Sequence, residues 1–258
     1  MLLSVCLSIS AIASASSLEP GLRHHWGLEG YYYRYNETVN NSFFMRAKGQ
    51  LFGAYYAAEF QPENTSFRFS AEGRVAFGYK VHYKSNGTGE RKDEKHTTLE
   101  ARLLGSYYMP LENQWGLEGY TGIGIRYLIT PPDNIPTTTG HYSYLRRSKY
   151  DYIPIGIRAL KELCNGIKWI GYLEYDWFLK GKQTSYLNRN LTIRNRQSHG
   201  YGARTGIDFH IPSSTSNVTY TLGMFARYWD IKDSSINQGY YEPKNNTQEY
   251  GIRLGLLF

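Results

Sequence analysis

Hydrophobic and polar residues alternate with a period of two along most of this chain, from Trp26 to the last residue. In the clearest segment, 67–84, the odd positions are mostly aromatic or aliphatic, and the even positions include two arginines, a glutamate and two lysines. Successive side chains of a β-strand point to opposite faces. The pattern therefore predicts a strand with one apolar face and one charged face.

The same alternation marks ten segments, which we predict to be strands. They are 26–35, 45–60, 67–84, 97–108, 115–129, 150–159, 167–180, 199–211, 218–231 and 247–258. In segment 45–60 we assign Met45, Ala47 and Leu51 to the apolar outer face and Arg46 and Lys48 to the inner face.

The links between these strands alternate in length. Short links with turn-forming residues lie at 61–66, 109–114, 161–166 and 212–217, and longer polar links lie at 36–44, 85–96, 130–149, 181–198 and 232–246. Outer-membrane barrels have short periplasmic turns and longer external loops. The long links come first, third, fifth, seventh and ninth, as an even number of strands with both termini in the periplasm requires.

Composition fits a barrel that crosses a membrane with strands, but it also fits a soluble all-β protein and does not decide between the two. The chain is 41% hydrophobic with a mean hydropathy of −0.52, and it contains 25 Tyr and 26 Gly. A helical membrane protein needs runs of about 20 apolar residues, which the alternating segments do not contain. We predict an all-β, closed, antiparallel transmembrane β-barrel of about ten strands in an up-and-down meander. It occupies residues 16–258 as one domain.

The first residues are typical of an export signal. Residues 2–12 are apolar or small, and Ala13 and Ala15 form an A-x-A cleavage site, so we predict a signal peptide over residues 1–15. One usual element is missing, because no Lys or Arg precedes the apolar core.

The inner faces of the predicted strands carry both signs of charge. Buried charges must be paired or hydrated, so we predict a salt-bridged, partly hydrated interior rather than an open pore. The residues assigned to this network are Arg68, Glu72, Arg74, Lys80, Glu100, Arg102, Glu118, Arg126, Lys168, Glu174, Asp176, Arg204, Arg227 and Arg253. Aromatic residues near the strand ends predict two interfacial girdles, with Tyr33 and Tyr152 among those of the outer girdle.

The last strand carries apolar or aromatic residues at every second position, ending in a phenylalanine: Tyr250, Ile252, Leu254, Leu256 and Phe258. This pattern resembles the C-terminal signature of bacterial outer-membrane barrels. The resemblance implies recognition by the barrel assembly machinery and insertion into the outer membrane. In overall plan the chain is similar to small ten-stranded outer-membrane proteins, a group that includes omptin-type proteases and adhesins.

Omptin-type proteases use paired carboxylates and an Asp–His couple at the extracellular rim to activate water. Asp133, Asp151, Asp176, His141 and His199 lie at suitable heights, but the sequence has no close Asp pair on the early strands and no Asp-x-His near this rim. Asp208 and His210 have that spacing at the periplasmic end.

Two further pairs of residues are candidates for a catalytic or metal-binding role. Ser198 and His199 are neighbours, and we expect their side chains to point to opposite faces of a strand. His24 and His25 are a candidate metal-binding pair, but they precede the first predicted strand, in what we expect to be a flexible segment. We therefore expect no catalytic, cofactor-binding or metal-binding residues, and no cofactor.

The net charge of +7 comes from scattered residues, so we expect no nucleic-acid partner. The expected partners are outer-membrane lipid and lipopolysaccharide, the barrel assembly machinery, and an extracellular ligand or host surface. The expected role is structural or surface interaction through the external loops. The alternatives are a narrow porin-like channel and a surface hydrolase.

Overall fold

The structure is a computed structural model that describes residues 20–258. Its strands are β1 (Gly21–Val39), β2 (Ser42–Gln61), β3 (Phe67–Ser85), β4 (Gly89–Pro110), β5 (Trp115–Thr130), β6 (Leu145–Glu162), β7 (Lys168–Asn188), β8 (Leu191–Gln197), β9 (Gly200–Pro212), β10 (Thr219–Ile231) and β11 (Lys244–Leu257). Cys164–Gly166 form one turn of 3₁₀ helix. Among these residues, no helix is long and apolar enough to cross a membrane. The predicted signal peptide lies outside the described residues.

The strands close into a barrel. From β1 to β8 each strand pairs antiparallel with the next, β9 pairs with β10 and β10 with β11, and β1 pairs with β11 along residues 25–38. β7 pairs with β8 through residues 181–188 and with β9 through residues 168–177. β8 and β9 are therefore two halves of one strand that is interrupted at Ser198 and His199. The result is a closed antiparallel barrel of ten strands, which confirms the predicted fold class.

The two ends of the barrel differ. Gly21, Leu257 and the turns at 62–66, 111–114, 163–167 and 213–218 lie at one end, which we call the terminal end, and the opposite end is the loop end. Three of the five predicted long links, 36–44, 85–96 and 181–198, are instead mostly strand. β1 and β2, for example, meet at a two-residue turn, where Asn40 and Asn41 adopt positive φ angles of 51° and 60°. The loop end is thus built mainly from projecting hairpins, with irregular loops at 131–144 and 232–243.

A ring of exposed apolar side chains covers the outside of the barrel. Outward-facing residues on every side of the ring are 37–67% exposed, among them Leu28, Phe52, Phe69, Leu103, Ile123, Ile157, Leu173, Ile207, Met224 and Ile252. Tyr32 contacts Tyr250 near the loop-end edge of the ring, and Tyr175 stacks on Tyr201 with ring centroids 6.1 Å apart. We call this ring the apolar belt.

Beyond the apolar belt, the polarity of the two faces is inverted. In β2, Met45, Ala47 and Leu51 are buried and Lys48 is exposed, so the predicted faces of this segment were wrong. In β3, a register shift between Gly78 and Val81 buries Val81. Lys80, expected inside the barrel, is exposed for the same reason. Tyr33 and Tyr152 are likewise buried in the interior rather than placed in an outer girdle.

Candidate functional site

Ion pairs connect the strands across the barrel interior nearest the terminal end. Arg74 of β3 contacts three carboxylates from different strands, with its guanidinium nitrogens 3.0 Å from Glu29, 2.7 Å from Glu100 and 3.0 Å from Glu249. Alternation places each of these side chains on the inner face of its strand, and closure of the barrel brings distant strands together. One arginine therefore ties β1, β3, β4 and β11.

Further arginines extend this arrangement around the barrel. Arg204 donates hydrogen bonds to Asp176 at 2.8 Å and to Glu100 at 2.5 Å. Arg102 donates to Glu174 at 2.8 Å and also contacts Glu72. Most of these charges are both buried and paired. The ion pairs therefore connect many strands to one another through the barrel interior.

Twelve of the fourteen charged residues assigned to the interior lie together there in ion pairs. Lys168 lies at the cavity mouth described below, and Lys80 is outside. Arg158 was missed, although it contacts Glu118 and Glu72 at 3.5 and 3.6 Å and lies 4.5 Å from the centre of the Tyr120 ring. The even positions of β6 would have indicated it. We refer to the twelve residues, with Glu29, Arg158 and Glu249, as the charge network.

A cavity of about 830 Å³ lies within the charge network. Pro20, Pro212 and Phe258 line its mouth, so it opens at the terminal end. His25 and His210 also line it, with ring centroids 5.9 Å apart, and the His25 Nε2 atom is 2.9 Å from the Tyr55 hydroxyl. His25 and its neighbour His24 lie within β1, not in a flexible segment before the first strand.

The other part of the interior is closed by aromatic and aliphatic side chains. On four strands this layer begins two residues beyond an interior charge: Tyr31 follows Glu29, Ala76 follows Arg74, Leu128 follows Arg126 and Phe178 follows Asp176. Trp229 is 1% exposed and contacts Tyr152, with ring centroids 5.0 Å apart. The layer comprises Tyr31, Tyr33, Tyr35, Met45, Ala47, Leu51, Ala76, Val81, Leu128, Tyr150, Tyr152, Phe178, Phe225, Trp229 and Ile231. We call it the interior plug.

Polar residues anchor the two irregular loops above the interior plug. Arg146 lies between Glu37 of β1 and Glu242 of loop 232–243, and also donates a hydrogen bond to the Tyr35 hydroxyl at 2.9 Å. Burial raises the pKa of Glu242 to about 8. On the other side, Arg91 donates to the carbonyl oxygen of Ile135 at 3.1 Å. Both loops are therefore fixed to the strands.

The residues considered for hydrolysis are dispersed. Asp176 is buried against Arg204, and Asp151 contacts Lys149 and Lys180. Asp133 and His141 lie in loop 131–144, and Asp208 pairs with Arg253 at the terminal end.

Ser198 and His199 form a hydrogen bond of 2.8 Å between the hydroxyl and Nδ1, contrary to our expectation. They can do so because the strand is interrupted there, so the alternation of faces does not apply. Both side chains are exposed. Among residues 20–258, no group of three or more His, Cys, Asp and Glu side chains could hold a metal ion.

The sequence matches no protein-family model and no curated protein. Among solved structures, the chain is similar to the outer membrane protease OmpT from Escherichia coli, with a TM-score of 0.62, 10% identity, and coverage of 95% of this chain and 99% of that one. The fold is that of a bacterial outer-membrane β-barrel. The translocator domain of the autotransporter NalP from Neisseria meningitidis matches at a TM-score of 0.45 and 10% identity, over 95% of this chain and 90% of that one.

Proposed function

We propose that this outer-membrane-type barrel resides in the bacterial outer membrane and serves as a closed, rigid anchor for a binding surface at its loop end. In the proposed orientation, the terminal end lies in the periplasm and the projecting hairpins lie outside the cell. The observation that carries this proposal is the interior plug, which lies directly on the charge network. A barrel with a sealed, ion-paired interior holds its external surface firmly but does not conduct.

The loop end offers a surface suited to a partner. Ile135, Tyr142, Ile236 and Tyr240 are 48–74% exposed there, on loops that are anchored to the strands by hydrogen bonds. Loops held on a rigid scaffold commonly carry binding residues. The proposed partner is an extracellular ligand or a host surface. We further propose that the role is not enzymatic, because the acidic and histidine residues considered for hydrolysis are dispersed.

The binding role is tested by expressing the chain on bacteria and measuring adhesion to host cells and extracellular matrix. A variant with Tyr142→Ser, Ile236→Ser and Tyr240→Ser should lose adhesion. The control, Leu111→Ser with Leu163→Ser, removes two exposed apolar residues from the terminal end and should adhere normally. Equal adhesion by all three proteins contradicts the proposal.

The closed state is tested separately in planar lipid bilayers, where the wild-type barrel should give no discrete conductance steps. Steps that disappear on changing Arg74 or Arg102 would instead identify a narrow channel through the charge network. Turnover of peptide or lipid-A substrates by the purified barrel would identify a surface hydrolase.

A further inference from the structure

The outward faces of β6, β7 and β8 carry a concentration of positive charge just beyond the apolar belt. It consists of Arg147, Lys149, Lys180, Lys182, Arg194 and Arg196. We call these six residues the cationic patch. Neighbouring residues in sequence, such as Ser148, Gln183 and Asn195, are buried, so alternation turns most of these cations outward. Lys180 and its neighbour Leu179 are both exposed, beside the register shift between Asp151 and Tyr152.

The strand register places like charges side by side. Lys149 is directly opposite Lys182, and Lys182 is directly opposite Arg196, so three cations form one row across three strands. In the next row, Arg147 and Arg194 flank Thr184. Directly opposed like charges on neighbouring strands destabilise a sheet. An anion bound on the patch would offset this repulsion.

The protein itself supplies little compensating charge. Within residues 20–258, Asp151 is the single carboxylate in ion-pair contact with the cationic patch, at 3.2 Å from Lys149 and 3.6 Å from Lys180. Most interior arginines, in contrast, contact one to three carboxylates each. The interior positive charges are paired with carboxylates of the same chain, whereas most charges of the cationic patch have no such partner within the described residues.

The position of the patch indicates what kind of anion it would meet. On β7, Trp177 and Leu179 are 59% and 48% exposed in the apolar belt, and Lys180 follows immediately. A ligand bound here would lay hydrocarbon on the belt and a negative group on the patch. This combination is the chemistry of an anionic lipid, and cations just outside the hydrocarbon region attract anionic lipid headgroups.

We propose that the cationic patch binds the phosphate groups of a phosphorylated glycolipid of the outer leaflet, of the lipid A class. This inference rests on the proposed function, because the patch meets the outer leaflet only if the loop end faces outward. Phosphate oxygens accept hydrogen bonds from the arginines and lysines, while the acyl chains pack beside Trp177 and Leu179.

The test uses the full barrel in neutral detergent, titrated with lipid A and with lipid A from which the phosphates have been removed. Native mass spectrometry counts the bound lipid. The variant Lys149→Gln, Lys182→Gln, Arg196→Gln should bind lipid A about tenfold more weakly or worse. The control Lys92→Gln, Lys95→Gln, Arg189→Gln removes the same number of exposed cations elsewhere at the loop end and should bind as the wild type does.

Thermal unfolding provides an independent readout. Lipid A should raise the Tm of the wild type but not that of the patch variant. In neutral detergent without lipid, the patch variant should be at least as stable as the wild type, because the substitutions remove repulsion. This second measurement also shows that the variant is folded.

Three outcomes overturn the inference: equal binding by wild type and patch variant, an equal loss in the control, or equal binding of phosphate-free lipid A. Tight binding of soluble polyphosphate, competing with lipid A, would assign the patch to a soluble polyanion instead. The adhesion and conductance tests do not depend on lipid A. If the barrel mediates adhesion and does not conduct, but binds lipid A with and without phosphates equally, only the lipid-binding inference is wrong and the proposed function stands.

Discussion

Leu103 and Arg102 are neighbours in β4, yet they occupy opposite environments. Leu103 is 58% exposed on the outer surface, while Arg102 lies inside with Glu174 and Glu72. The two residues show how one step along a strand separates contact with lipid from contact with buried charge. Substitutions on the two faces should therefore destabilise the barrel for different physical reasons.

On the outer face, Leu103→Arg should lower the free energy of unfolding by about 2–4 kcal/mol, because it places a charge among acyl chains. Urea titration of the barrel in lipid vesicles, followed by tryptophan fluorescence, measures the change. Leu111→Arg is the matched control, since Leu111 lies in a short turn beyond β4, where an interfacial arginine should cost about 0–1 kcal/mol. Equal costs at both sites would show that Leu103 does not face lipid.

On the inner face, Arg74→Met should cost about 3–5 kcal/mol, because it removes the cation shared by Glu29, Glu100 and Glu249 and leaves buried negative charge. Lys92→Met, at an exposed cation, should change the free energy of unfolding little. The same urea titration reports both values. An unchanged free energy of unfolding in Arg74→Met would mean that water solvates the three carboxylates in place of the arginine.

At the scale of elements, the structure depends on two junctions: the closure of the barrel by β11 and the attachment of loop 232–243. The backbone NH and carbonyl of Phe258 pair with those of His24, at 3.0 and 2.8 Å. These bonds lie at the terminal end of the β1–β11 seam. Phe258 therefore extends by one residue pair the β1–β11 pairing that closes the sheet into a barrel.

Deletion of Phe258 should block assembly and leave unfolded protein in the periplasm, because the seam is shortened and the terminal aromatic residue is lost. Heat-modifiable migration on gels distinguishes the folded from the unfolded form. Phe258→Tyr keeps an aromatic ring and the backbone pairing, and should assemble. Normal migration of the deletion protein would contradict the predicted role of this residue in assembly.

Loop 232–243 should be held by a pH-dependent contact. The raised pKa of Glu242, about 8, means that the closed loop binds a proton that the open loop, with an ordinary pKa near 4.5, releases. Closure is therefore favoured at low pH and weakens as the pH rises from about 4.5 to about 8. Arg146, Glu37, Tyr35 and Tyr144 face this carboxyl group.

Trypsin measures the opening of this loop, because Lys232 and Lys244 flank it. Cleavage of the folded barrel there should increase between about pH 6 and about pH 9. Glu242→Gln, which is neutral throughout this range, should flatten the increase, whereas Glu90→Gln, at an exposed carboxyl group, should leave it unchanged. The trypsin rate on an unstructured peptide at each pH corrects for the enzyme itself.

At the scale of the whole molecule, the polarity of the barrel changes along its axis. At the level of the apolar belt the outer surface is apolar and the interior is charged. Towards the loop end the outer surface is charged and the interior is apolar. The apolar belt is too extensive to be left in water. Residues 16–258 should therefore aggregate in plain buffer and be monodisperse only in detergent or lipid. Size-exclusion chromatography with and without detergent tests this prediction. A soluble monomer in plain buffer would contradict the prediction that the barrel spans a membrane.

The sequence determined the strands, their order and the closed barrel, because a period of two fixes which residues share a face. It also placed charges such as Arg74, Glu100 and Arg204 inside, since ionic side chains cannot face acyl chains. These features follow from local pattern and from the requirement that the barrel have no open edge. The predicted alternation of link lengths was only partly right, because three of the five long links proved to be mostly strand.

Only the tertiary structure decided where this polarity reverses. The residues of β2 beyond the belt alternate as regularly as those within it, but outside the belt the surroundings are water, so Lys48 points outward and Leu51 inward. A register shift does the same for Lys80 and Val81 in β3. The interior plug, the carboxylates shared by Arg74 and the row formed by Lys149, Lys182 and Arg196 all depend on which strands become neighbours. Pattern along one strand cannot specify register across several, because register is set by bulges and by packing inside the closed barrel.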